Sequence, residues 1–285
     1  MQIASAAMIY ASTTIEFNLE LEIMRFILTC VLSLAAIAQG VLAQVIPVAF
    51  EGQVAAANLE PTLTFLWPGS SPKATLIYIP GGEGRLGLTP ERKNLGGFYG
   101  ATLKPLSDSN LSSGSLHVVV FDSPAPLPVG ANYPISRTNT EHLSRIESVV
   151  RYYKSKYGLP VWLMGHSNGA ASLTEFYASL QRENKTDLLA GAIYSSARNG
   201  ARFDSKTQLP ILFLAHEKDA CAKSTNYNSR KVFEEQSSTN TQRLNYVLIR
   251  GGEGQAQDVC SSGFHMFYGA GAEAYQAIEA FILAP

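Results

Sequence analysis

The chain has 285 residues, 46% hydrophobic and 16% charged, with 22 Lys and Arg against 23 Asp and Glu. That balance excludes a disordered or fibrous chain and leaves apolar material for one large core. Near-zero net charge without a basic run argues against nucleic acid or anionic lipid as a partner.

Residues 1 to 23 resemble neither a signal nor a domain, and Met24 is the expected true initiator. Met24-Arg25 precedes an uncharged run from Phe26 to Ala38, and Val41-Leu42-Ala43 carries small or compact residues where a signal peptidase reads. Residues 24–43 are thus expected to be a signal peptide. The alternative is a membrane anchor extended through Val41 and Leu42, but Gln39 and Gly40 interrupt the run, which is short for a bilayer. Cleavage after Ala43 leaves 44–285 as one exported domain with no stable membrane span, large enough to fold without staples. Losing Arg25, Glu16, Glu20 and Glu22 with the leader leaves 21 basic and 20 acidic side chains. Cys30 leaves too, so the exported chain keeps Cys221 and Cys260, an even pair that suggests a disulfide.

Leu63–Trp67 and Ala74–Ile79 bracket a turn at Pro68–Lys73 and read as a hairpin that begins a sheet. Leu116–Phe121, Val161–Met164, Leu188–Tyr194, Ile211–Ala215 and Tyr246–Ile249 are further apolar runs of the kind found in strands covered on both faces. Thr140–Tyr157 puts Leu143, Ile146, Val149, Val150 and Tyr153 on one helical face, and Gly158 with Pro160 stops it. Ser229–Gln236 is a weaker helix, and Ala272–Leu283 closes the chain. Strand and helix alternate after Leu116, which predicts a mainly parallel sheet flanked by helices. Asn110-Leu111-Ser112 and Asn184-Lys185-Thr186 are glycosylation sequons.

Gly165-His166-Ser167-Asn168-Gly169 follows the run Val161–Met164 and precedes a helical pattern that opens on Ala170 and Ala171. This is the spacing of a sharp strand-to-helix turn in which a serine hydroxyl projects above the sheet, and the crowding requires glycine two residues to either side. A serine hydroxyl is a weak nucleophile until a base takes its proton and an acid orients that base. His265, in the loop between the last strand and the last helix, is the best base. His117, His142, His166 and His216 sit in or beside regular elements and read as structural. Asp219, just after the Ile211–Ala215 strand, supplies the chain order serine, acid, histidine, with Glu217 and Asp258 as substitutes. A Cys221–Cys260 bridge would tie the acid loop to the base loop.

Two amide donors for a developing oxyanion are expected from Asn168 and from the Pro80–Gly84 loop, with Gly82 favoured over Glu83. Gly82-Glu83-Gly84-Arg85-Leu86-Gly87 also matches a dinucleotide fingerprint, but Leu88-Thr89-Pro90 and Gly96-Gly97 break the helix that motif must open. No zinc motif, carboxylate cluster or phosphate loop appears, so neither metal nor cofactor is expected.

Gly165–Gly169, Asp219, His265 and the Pro80–Gly84 loop together resemble the α/β-hydrolase superfamily over nearly the whole of 44–285. The resemblance implies that Ser167 attacks a carbonyl, His265 relays the proton and Asp219 orients it. Superfamily caps usually enter after the strand that ends near Ser196, and Arg198–Pro210 is too short for a large one. The expectation is an exported esterase with an uncapped cleft for a small-molecule or polymer-end ester, partly roofed by Gly81–Ser115 through Phe98, Tyr99 and Leu103. A serine peptidase of the same fold and a noncatalytic binding protein are the alternatives.

Overall fold

The computed structural model describes residues 42–50, 59–129, 133–254 and 258–285. The expected leader lies outside them apart from Leu42 and Ala43. Strands β1 (Gln44–Val48), β2 (Thr62–Trp67), β3 (Ala74–Ile79) and β4 (Leu116–Phe121) come first, followed by helices α1 (Tyr133–Thr138) and α2 (Thr140–Tyr157). Then β5 (Val161–His166), α3 (Gly169–Arg182), β6 (Gly191–Ser195), β7 (Ile211–His216), α4 (Asn226–Ser237), β8 (Leu244–Ile249) and α5 (Gly271–Leu283) complete the order.

Among the described residues these strands form one eight-stranded sheet in the order β1-β2-β4-β3-β5-β6-β7-β8. β2 is antiparallel to β1 and β4, and β3 through β8 run parallel. The expected hairpin between Leu63–Trp67 and Ala74–Ile79 is therefore corrected: both are strands, but β4 lies between them. The reason is nonlocal. β4 is buried along its whole length, and its approach from Gly114 and Ser115 accepts the turn's Ser71 and Lys73 amides at 3.1 and 2.7 Å. β1 also joins the sheet, with Pro47 tolerated because the strand is an edge.

Successive side chains of a strand face opposite sides, so the continuous apolar runs feed two cores. Ile77, Val119, Phe121 and Leu163 meet Ile146, Val149, Tyr153 of α2 and Leu173, Phe176 of α3 on one face. Leu76, Tyr78, Val118, Val120 and Met164 meet Leu103, Leu106 and the α5 residues Ala274, Ile278 and Phe281 on the other. Burying each such large side chain is worth about 1.5–3 kcal/mol before the cost of ordering it. α2 starts where the Asn139 side chain accepts the His142 amide at 2.9 Å and stops at left-handed Gly158, φ 63°. No helix among the described residues is long and apolar enough to cross a membrane.

Two histidines outside the candidate site are buried in neutral form. His117 accepts the Gly69 amide at 3.1 Å and stacks on Tyr157; burial, then Lys156, lowers its pKa to about 4. His142 bonds the Ser172 hydroxyl at 2.8 Å; burial, then Arg137 and Arg145, lowers it to about 3. Both folded values lie below the unfolded one, so their stability contribution is full above pH 6.5 and is lost as pH falls toward those values. Urea unfolding between pH 6.5 and 4.5 should show stability falling by up to about 1.4 kcal/mol per pH unit for each imidazole. A flat profile across that window would contradict it.

Candidate active site

The parallel order β5-β6-β7-β8 puts the C-terminal ends of these strands along one edge, where open α/β sheets carry their sites. Ser167 directly follows β5 and has φ 52°, a left-handed conformation that costs a non-glycine residue about 1–2 kcal/mol. Neighbours impose it. The Ser167 amide donates to Ser195 O at 3.0 Å, and its carbonyl accepts from Ala170 and Arg198 at 3.1 and 3.0 Å. A Cβ on Gly165 would lie 2.5 Å from Gly169 O, and one on Gly169 would lie 2.2 Å from Ile79 O. Both flanking glycines are thus required by backbone contact, as the turn spacing predicted.

Asp219 lies beyond the end of β7, and His265 sits in the single-turn 3₁₀ helix Gly263–Met266 between β8 and α5. Their side chains meet: His265 Nδ1 is 2.8 Å from Asp219 Oδ2, and both side chains are fully buried. The other carboxylate oxygen accepts the Cys221 amide at 2.9 Å. With Nδ1 facing a carboxylate it carries the proton, which leaves a lone pair on Nε2. Nε2 is buried and has no hydrogen-bond partner among the described residues, so Ser167 Oγ is not bonded to it here. Such contacts are commonly long in substrate-free sites and tighten on binding. Glu217 and Asp258 lie elsewhere: Glu217 pairs with Arg250 at 3.4 Å, and Asp258 binds the Cys260 amide and the Ser261 hydroxyl.

The Cys221–Cys260 disulfide is formed, with 4.8 Å between Cα atoms. It joins the segment two residues after Asp219 to the segment five residues before His265. His216 is satisfied on both nitrogens, accepting from the Lys218 amide at Nδ1 and facing Gly251 O from Nε2 at 2.9 Å. His166 bonds the Ser195 hydroxyl at 3.0 Å, and its ring centre is 5.0 Å from that of His265. Burial, then the electrostatic effect of neighbouring His265, holds the His166 pKa well below its ordinary value.

The Pro80–Gly84 loop packs against the elbow. A Cβ on Gly81 would come within 2.8 Å of Ser167 Cβ, and Gly82 adopts φ 52° with nothing within 4 Å of where its Cβ would stand. Gly82 O accepts from the Asn168 side chain at 3.0 Å. Sequence reading missed two residues that hold this loop. Arg137, fully buried on α1, donates to Pro80 O, Gly81 O and Gly82 O. Asp122, directly after β4, accepts the Leu86 and Leu88 amides at 2.5 and 2.7 Å. Burial raises its pKa, and those backbone bonds oppose the rise. Asp122 had a signal, an acid at a strand end; Arg137, in a short helix between loops, had none.

Residues 82–88 form turns and extended loop, so the glycine fingerprint there opens no helix. Phe98 and Leu103 correct a second expectation. They do not roof the cleft but are buried on the sheet, with Phe98 against Tyr78, His166 and Phe267. An apolar side chain beside an uncovered sheet face gains more by packing on it than by standing over water. Between β6 and β7, residues 196–210 make only turns and loop.

No protein-family model matches the sequence, and no curated protein matches it. Solved structures do. The chain is similar to XC6422 of Xanthomonas campestris, described as an α/β serine hydrolase without lid, with TM-score 0.54, 14% identity and coverage of 85% of this chain and 94% of that one. It is similar to EstE1, a thermophilic carboxylesterase from a metagenomic library, with TM-score 0.53, 13% identity and coverage of 88% and 93%. Est1E from Butyrivibrio proteoclasticus gives TM-score 0.51, 13% identity and coverage of 84% and 98%. The sheet order, the elbow after β5 and these likenesses agree: the chain has the α/β-hydrolase fold, without a large cap among its described residues.

Proposed function

We propose that this protein is an exported serine hydrolase that cleaves carboxylic esters, with Ser167, His265 and Asp219 as its triad. The observation that carries the proposal is the buried His265–Asp219 pair on the strand edge where strained Ser167 projects. Ser167 Oγ attacks the ester carbonyl carbon while His265 Nε2 takes the hydroxyl proton. The resulting oxyanion is met by the Asn168 amide and an amide of the Gly82–Glu83 segment, and Asp219 stabilises the imidazolium. Collapse expels the alcohol, which takes the proton from His265, and leaves an acyl group on Ser167. Water, deprotonated by His265, then attacks that acyl carbon and releases the acid and the free serine.

Neighbours described as esterases favour an ester over an amide. The leader expected over 24–43 and the disulfide favour export, and both sequon asparagines, Asn110 and Asn184, are exposed. Hydrolysis of short p-nitrophenyl esters, with peptide anilides left intact, is the expected result. Peptide cleavage without ester cleavage would replace this reading by a peptidase, and neither activity would leave a binding protein.

The disulfide has a catalytic consequence under this reading. Closing a loop over a sequence separation of 39 residues stabilises by about 4 kcal/mol in the chain-entropy estimate. It also holds the Cys221 amide on Asp219. Reduction is therefore expected to lower kcat at temperatures where near-ultraviolet circular dichroism still reports a folded domain. Unchanged kcat after complete thiol release would contradict this role.

A further inference from the structure

Three consecutive peptide carbonyls, Pro80, Gly81 and Gly82, converge on one guanidinium. Arg137 Nη1 is 3.0 Å from Pro80 O, and Nη2 is 3.2 Å from Gly81 O and 2.8 Å from Gly82 O. The side chain is fully buried. Gly84 admits it, since a Cβ there would stand 3.1 Å from Nη2. Asn168, the residue after Ser167, adds its side-chain amide to Gly82 O at 3.0 Å.

Because a trans peptide is planar, its C=O and the next residue's N–H point in opposite directions. Carbonyls turned toward Arg137 therefore turn the N–H groups of Gly81, Gly82 and Glu83 away from it, on the loop whose Gly81 touches Ser167. Arginine suits this task. It presents a rigid planar fork of five donors, keeps its charge at any working pH, and has no acceptor to compete with the amides. A cation on the carbonyl oxygen also polarises the peptide, so that the N–H on the far side becomes a stronger donor.

We propose that Arg137 is a positioning residue that sets and polarises the amide donors of the Pro80–Gly84 loop for the oxyanion formed at Ser167. The inference rests on the serine hydrolase reading above. It differs from a purely structural role for Arg137 in what it predicts per folded site. Oxyanion donors act in the transition state, so a misaimed loop lowers kcat and leaves KM nearly unchanged.

The test uses the full chain with Arg137→Lys and Asn168→Ala, each titrated to its end point with a fluorophosphonate so that kcat is expressed per reactive site. For Arg137→Lys, kcat per site on p-nitrophenyl acetate should fall about 10- to 100-fold with KM within about threefold. The inhibition constant of an aryl trifluoromethyl ketone, which forms an oxyanion on the serine, should rise by the same factor. Asn168→Ala, which removes the other donor to Gly82 O, should show the same pattern at about tenfold, and Arg137→Gln replaces Arg137→Lys if the lysine variant does not fold. Wild-type kcat per site in a folded Arg137 variant would overturn the proposal. Failure of the fluorophosphonate to label the wild type at Ser167 would instead remove the hydrolase reading, and this inference with it.

Discussion

Ser167→Ala should lower kcat by about a million-fold, the loss expected when the nucleophile of an acyl-transfer triad is removed. Residual hydrolysis above the uncatalysed rate should persist, because loop amides and substrate contacts still act on a bound ester attacked by water. The structure adds a stability signature. Ser167 has φ 52° because Ser195, Ala170 and Arg198 pin its peptide groups, so alanine inherits the strain while glycine escapes it. Ser167→Gly should therefore abolish activity equally and raise stability by about 1 kcal/mol relative to Ser167→Ala, read by urea unfolding. A serine retained only as a turn former would show the stability difference and no loss of activity.

Asp219→Asn should lower kcat by about ten-thousand-fold with little change in KM. The two oxygens of Asp219 accept from two different donors, His265 Nδ1 at 2.8 Å and the Cys221 amide at 2.9 Å. An asparagine has only one oxygen. If it keeps the Cys221 bond, its NH₂ faces His265 Nδ1 and stabilises the tautomer with the proton on Nε2, where the ring no longer serves as a base for Ser167. If it flips, the NH₂ collides with the Cys221 amide and the loop must move. Since the pair is fully buried, water is not at hand to relieve either mismatch. Glu217→Gln and Asp258→Asn, by contrast, should leave kcat within about twofold, because these exposed or half-buried acids bind other partners. A large loss in either, with Asp219→Asn active, would move the acid's role.

How much of this was legible in the sequence depended on whether the cause was local. The α2 boundaries at Thr140 and Tyr157 were readable because the apolar period and the glycine stop lie within the segment itself. The elbow was readable because its glycines answer to backbone atoms of the same short turn, Gly165 to Gly169, and to the end of one neighbouring strand, Gly169 to Ile79. Cys221 and Cys260 were an obvious pair once Cys30 was assigned to the expected leader. Strand pairing was not local. β2 and β3 look like a hairpin, yet β4, more than thirty residues further on, lies between them, a choice made by sheet burial rather than by the turn. The apolar side chains Phe98 and Leu103 announced burial but not on which surface. Arg137 was invisible for the same reason. Its partners are carbonyls of a loop more than fifty residues earlier, and nothing in its own neighbourhood distinguishes it from a surface arginine.

Activation of Ser167 as a nucleophile by His265 is the step on which the activity predictions depend. Its most direct test is tandem mass spectrometry of the tryptic peptide Tyr157–Arg182 after treatment with a fluorophosphonate. One stoichiometric adduct is expected on Ser167, rather than on Ser172 or Ser179 of the same peptide, and it should be lost when His265 is replaced by alanine. Labelling of a different serine, no adduct on folded protein, or undiminished labelling in His265→Ala would contradict it.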